Sequence, residues 1–147
     1  MLARQPRSRV ELERALARRG HDGPTVAATL ARLQQSGYLD DALVADAVAR
    51  GAERKHQGSR RVALALRRRG VARDVVEQAA RASREGDLER ARALLARRFP
   101  GGVGVTRAER QRASRLLAVR GFPGDVVREA LGIDVDVSDD AAEDVDE

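Results

Sequence analysis

The chain has 147 residues, 35% charged and 42% hydrophobic, with no cysteine and only three aromatics, Tyr38, Phe99 and Phe122. The missing cysteines exclude disulfides and thiolate metal sites, no apolar run approaches membrane-spanning length, and no signal-peptide pattern opens the chain. A cytoplasmic protein is expected. The net charge of +5 conceals an asymmetry: residues 134–147 carry eight acids and no base, which leaves 28 bases against 15 acids and a net charge of +13 over residues 1–133.

Ser8-Arg9-Val10-Glu11 reads as a capping box, in which Ser8 accepts the Glu11 amide and Glu11 reaches back. The helix it opens carries Leu12, Ala15 and Leu16 inward and ends at Gly20, a left-handed exit. Asp22-Gly23-Pro24 starts a second helix over 24–36, with Val26, Leu30 and Leu33 inward and a stop at Gly37. Asp40 or Asp41 caps a longer helix over 40–55 whose stripe is Val44, Val48 and Ala52. Residues 59–69 repeat the first helix with Val62, Ala65 and Leu66 and end at Gly70. A partner helix follows over 74–84, capped by Asp74. Residues 87–99, capped by Asp87, place Leu88, Ala91, Leu95 and Phe99 on one face. Helices over 107–120, ending at Gly121 with Ala113, Leu116 and Leu117 inward, and over 125–131, capped by Asp125, complete the series.

Leu16-x-x-x-Gly20, Leu66-x-x-x-Gly70 and Leu117-x-x-x-Gly121 are one motif repeated at spacings of 50 and 51, each followed six positions on by a valine, Val26, Val76 and Val127. This predicts an all-α fold of tandem three-helix repeats, a curved and elongated array. The units are 1–37, 38–85 and 86–133. The first lacks its leading helix, since Met1 to Arg7 are too few to form one, or else its true start lies upstream. Leu12, Ala15 and Leu30 are then expected to have an under-covered face. Residues 134–147, dense in acid, read as a disordered tail, either a solubilising end or a competitor of DNA for arginines.

No catalytic, cofactor-binding or metal-binding constellation emerges, and an enzyme is not expected. His21 occupies the slot that Val71 and Phe122 fill in the other units and reads as a half-buried packing residue. His56 reads as solvated surface, Gly101-Gly102-Val103-Gly104 as a helix connector, and Asp40 and Asp41 as caps. The arginines are the better candidates: Arg18 and Arg19, Arg60 and Arg61, Arg67 to Arg69, and Arg97 and Arg98. Arg60 and Arg67, like Arg61 and Arg68, lie two turns apart on one helix face, with Leu64 among them. Either Leu64 meets a neighbouring unit or it meets a partner. Of the 28 bases only Lys55 is a lysine. Arginine suits phosphate and carboxylate, although a coding bias toward arginine would look the same. No aromatic platform for stacking single-stranded bases is present.

Four stretches together resemble the RecX family, regulators of RecA recombinase: Arg7-Ser8-Arg9-Val10-Glu11-Leu12 with Leu16 and Gly20; Gly37-Tyr38-Leu39-Asp40-Asp41; Gly58-Ser59-Arg60-Arg61-Val62 running to Leu66-Arg67-Arg68-Arg69-Gly70-Val71; and Arg120-Gly121-Phe122 with Asp125-Val126-Val127. The resemblance runs from about Leu2 to Leu131. It implies a modular all-helical protein without catalytic residues. It also implies binding in the groove of the RecA–DNA filament, with inhibition of RecA ATPase, strand exchange and coprotease activity. The partners are then RecA and, weakly or through RecA, single- or double-stranded DNA, with no membrane, no cofactor and a monomeric state. The chain departs from the family pattern where Val44 and Val48 replace usual phenylalanines, where Ala65 replaces a common glutamate, and in its acidic tail. A general DNA-binding protein built of helix-turn-helix-like units is the alternative; it would bind DNA alone with a steep salt dependence.

Overall fold

The computed structural model describes residues 7–37 and 39–133. The expected absent leading helix falls on residues 1–6 and the acidic tail on 134–147, both outside the described residues. Eight helices and no strand occur among the described residues: α1 (Arg9–Arg18), α2 (Gly23–Gln35), α3 (Asp41–Arg54), α4 (Ser59–Arg68), α5 (Arg73–Arg84), α6 (Asp87–Arg98), α7 (Arg107–Val119) and α8 (Gly124–Ala130).

The helix starts follow side-chain chemistry. Ser8 and Glu11 close the capping box on α1, Asp22 accepts the Thr25 amide at α2, and Asp40 accepts the Ala42 amide at α3. Thr106 and Glu109 form a second capping box on α7, which satisfies two otherwise orphan donors reciprocally. Asp74, Asp87 and Asp125 are not caps: the N-cap positions are Ala72, Gly86 and Pro123, and the three acids lie inside the first turn. There they complement the helix dipole, and Asp87 and Asp125 also make the cross-unit bonds described below. Gly20, Gly70 and Gly121 all have positive φ, +86°, +71° and +91°, the left-handed exit expected at each motif.

The core is three small clusters in chain order. The first joins Val26, Leu30 and Leu39 to the half-buried Leu12, Leu16 and Leu33. The second joins Val44, Ala45 and Ala52 of α3 to Val62, Ala63, Leu66, Val71 and Val76. The third gathers Ala91, Leu94, Leu95, Ala113, Leu117, Phe122, Val126 and Val127. In the first unit Leu12 and Ala15 are only half-buried and α1 has no fully buried residue. Leu30, by contrast, is 1% exposed, because α2 lays it between Val26 and Leu39. His21 is exposed whereas Val71 and Phe122 are buried. The slot that plugs the other two cores is solvated in the first unit. His56 is half-buried and holds a left-handed φ of 51° after α3.

Adjacent units are joined by one recurring device. The acid opening the leading helix of one unit accepts the first amide of the helix that precedes the motif glycine in the unit before. Asp41 Oδ1 accepts the Arg9 amide at 3.3 Å, and Asp87 Oδ1 accepts the Ser59 amide at 2.9 Å. The first joint adds the Ser8 hydroxyl donating to the Arg69 carbonyl at 2.5 Å and an ion pair between Glu11 and Arg69 at 2.9 Å. The second joint is more buried. Ser59 Oγ donates to Asp87 Oδ2, Arg90 donates to Asp87 and to the Gln57 and Ser83 carbonyls, and the Gly58 and Arg60 amides donate to the Arg120 and Gly121 carbonyls.

Partial burial opposes ionisation of Glu11. The Ser8 amide, the Arg69 guanidinium and the Ser8 hydroxyl outweigh it and hold the carboxyl below its ordinary value of 4.5. A depressed folded-state pKa stabilises above the unfolded value and is lost as pH falls through the folded one. The first joint should therefore loosen below pH 4.5. Urea midpoints measured from pH 6 to pH 3 should fall more in the wild type than in Glu11→Gln; parallel curves would remove Glu11 from the acid response.

Candidate partner-binding cleft

α4 and α5 form one side of an open cleft of about 980 Å³, and the end of α7 with the α7–α8 turn forms the other. α4 contributes Ser59, Arg60, Arg61, Ala63, Leu64 and Arg67; α5 contributes Ala80, Arg81 and Arg84; Ala118, Val119, Gly121 and Pro123 come from the third unit. The cleft exists because the second joint sets the start of α4 against the Arg120-Gly121 turn. A Cβ on Gly121 would lie 2.5 Å from the Arg61 Cβ, so the two backbones meet where only glycine leaves room.

Among the described residues the cleft is lined by five arginines and no carboxylate. Arg84 reaches Asp125 at 2.5 Å across the joint, both side chains about half exposed. Arg60, Arg61, Arg67 and Arg81 are exposed, so their like charges add in one concave place and favour an anionic partner. Two apolar groups stand among them: Leu64 is 38% and Val119 65% exposed. Leu64 thus keeps more than a third of its surface open to the cleft. An arginine wall with an exposed leucine and valine can pair with phosphate or carboxylate and still grip an apolar side chain.

Of the arginines picked out in the sequence, the structure brings Arg60, Arg61 and Arg67 together. Arg68 is exposed but does not line the cleft, and Arg18 and Arg19 on the first unit and Arg97 and Arg98 on α6 are exposed elsewhere. Arg69 is committed to the first joint through Glu11, its side chain 29% exposed. Arg81 and Arg84 escaped the sequence reading, although their spacing of three on α5 places them on one helix face. A smaller hollow of about 240 Å³ between α6 and α8 is lined by Arg92 and by apolar groups, chiefly Leu95, Phe99, Val103 and Leu131. Among the described residues no group of three or more His, Asp or Glu could hold a metal ion, and no helix is long and apolar enough to cross a membrane.

Comparison with known proteins agrees with this architecture. Residues 1–33, 40–79 and 85–131 match the first, second and third three-helix domains of RecX. The regulatory protein RecX of Halorhodospira halophila is 40% identical over 130 residues, covering 88% of this chain and 81% of that protein. The regulatory protein RecX of Leptothrix cholodnii is 41% identical over 131 residues, covering 88% of this chain and 82% of that one. The crystal structure of RecX from Lactobacillus salivarius superimposes with a TM-score of 0.76 at 20% identity, covering 87% and 85% of the two chains. A second crystal structure, of regulatory protein RecX, gives 0.69 at 21% identity, covering 87% of this chain and 65% of that one.

Proposed function

Because the chain belongs to the RecX family of regulatory proteins, we propose that it binds the RecA–DNA filament and inhibits RecA ATPase, strand exchange and coprotease activity. It would thereby regulate recombinational repair and the SOS response. The observation that supports this reading is the cleft, lined among the described residues by five arginines and no carboxylate. The arginines face phosphates or RecA acids, and Leu64 and Val119 add apolar contact. The units taken as 38–85 and 86–133 flank the cleft, and the unit 1–37 extends the array. Each contact is weak by itself, and linkage of the units raises their effective concentration along the filament. Occupying the filament groove blocks its closure or the addition of subunits. The protein acts by binding rather than by catalysis, as a monomer in the cytoplasm.

The quadruple variant Arg60→Ala, Arg61→Ala, Arg67→Ala and Arg81→Ala tests this. Four exposed charge contacts at about 0.5 kcal/mol each sum to about 2 kcal/mol, a roughly 30-fold rise in the concentration needed for half-inhibition. RecA ATPase on single-stranded DNA is the assay, and Arg68→Ala, outside the cleft, is the control and should stay near wild type. Equal inhibition by the quadruple variant and the wild type would remove the cleft from the mechanism. A salt titration on DNA without RecA separates the alternative: a general DNA-binding protein would bind bare DNA tightly with a steep slope.

A further inference from the structure

The sequence carries a segment whose chemistry complements the cleft. Residues 134–147 hold eight acids, no base and three valines, opening Asp134-Val135-Asp136-Val137. The cleft offers the complement: arginines with no carboxylate among its described lining residues, and an exposed leucine and valine. Reach permits the match. Pro123 lines the cleft, and α8 runs on from Gly124 for seven residues, a rise of about 10 Å. The fourteen residues beyond Ile133 can extend to roughly 46 Å.

We infer that residues 134–147 compete for the arginine cleft, their acids for Arg60, Arg67 and Arg81 and their valines for its exposed apolar groups. The free protein is then partly self-occluded, and only a partner presenting a denser array of anions displaces the segment. This rests on the reading that the cleft is where anionic partners bind. A tethered segment acts at an effective concentration near millimolar, so even a weak intrinsic affinity lowers apparent binding by about five- to tenfold.

The test is anisotropy of a labelled single-stranded oligonucleotide at low salt, with the full chain throughout. One variant replaces the eight tail acids by Asn and Gln. A second, Val135→Ser with Val137→Ser, leaves every charge in place. Both should bind the oligonucleotide more tightly, the first by about five- to tenfold and the second by at least about twofold through lost apolar contact. Both gains should vanish when Arg60, Arg67 and Arg81 are also alanine. A gain from neutralisation alone, with none from the serine pair, would reduce the effect to net charge and overturn the inference. Gains that persist without the arginines would overturn it as well. A gain that grows with protein concentration would assign the occupant to a second copy, against the inference. If the arginine variant with an unaltered tail binds the oligonucleotide like wild type, the cleft reading itself fails, an outcome distinct from failure of the tail alone.

Discussion

Asp87→Ala is expected to cost about 3 kcal/mol of stability, near the low end for breaking a buried charge pair. Asp87 is fully buried, and its two oxygens take the Ser59 amide at 2.9 Å, the Ser59 hydroxyl at 2.5 Å and Arg90 at 2.8 Å. Without the carboxylate, a guanidinium whose side chain is 12% exposed loses its counter-charge. Two donors at the start of α4 also lose their acceptor, and unsatisfied buried donors keep their full desolvation cost. The low end applies because Arg90 retains the Gln57 and Ser83 carbonyls. For a chain of this length the loss corresponds to a fall in Tm of roughly 6–12 °C, readable by circular dichroism. Ser59→Ala should cost much less in the Asp87→Ala background than in the wild type, since both changes break one network. A fall below about 1 kcal/mol would show that water replaces the carboxylate without penalty. The consequence for function follows from position: Ser59 also lines the cleft, so a loosened joint should weaken partner binding although no arginine has changed.

The helices were legible in the sequence because their signals are local. A capping box at Ser8, a cap at Asp22 or Asp40 and glycine at Gly20, Gly70 and Gly121 fix most ends to within a residue. What was not legible depends on residues far away in sequence. An aspartate at the helix start and one a residue or two inside look alike, so Asp87 read as a cap when its partner Ser59 lies 28 positions earlier. Arg67, Arg68 and Arg69 are one run in the sequence. Only the docking of the first unit takes Arg69 out to Glu11, and only the third unit turns Arg67 into a cleft wall. His21 shares its phase with Val71 and Phe122, yet burial in that slot requires a core able to receive a ring, and among the described residues the first unit has the smallest one. Arg81 and Arg84 have no distinction on α5 until α4 is packed beside it. The candidate site was therefore half visible: its charge was evident in composition and its α4 face in spacing, while its second wall and the exposure of Val119 are tertiary facts.

The same glycine motif should give three different costs when each glycine is changed to alanine, and the third should be the largest. All three share the left-handed φ, worth about 1–2 kcal/mol for a residue with a Cβ. At Gly20 the new methyl meets nothing within 4 Å, so strain alone is expected. At Gly70 it would lie 2.7 Å from the Val10 Cβ, and relief requires the first unit to shift on the second. At Gly121 it would lie 2.5 Å from the Arg61 Cβ and 2.6 Å from the Arg61 nitrogen, and helical backbone cannot swing aside as a side-chain tip can. Relief there separates α4 from the turn and breaks the bonds from Gly58 to Arg120 at 2.9 Å and from Arg60 to Gly121 at 3.0 Å. Two such bonds at about 1 kcal/mol each, added to the strain, give about 3–4 kcal/mol. Thermal unfolding gives the ranking, and amide exchange locates the damage: Gly121→Ala should speed exchange at Gly58 and Arg60, and Gly70→Ala at Arg9, whose amide donates across the first joint to Asp41. Under the proposed function, Gly121→Ala should also weaken inhibition of RecA with every cleft arginine intact, because Gly121 sets the distance between the two walls, whereas Gly20→Ala should leave it unchanged. Equal costs at the three positions would mean that the glycines serve only their own turns and that the joints between units are held by something else.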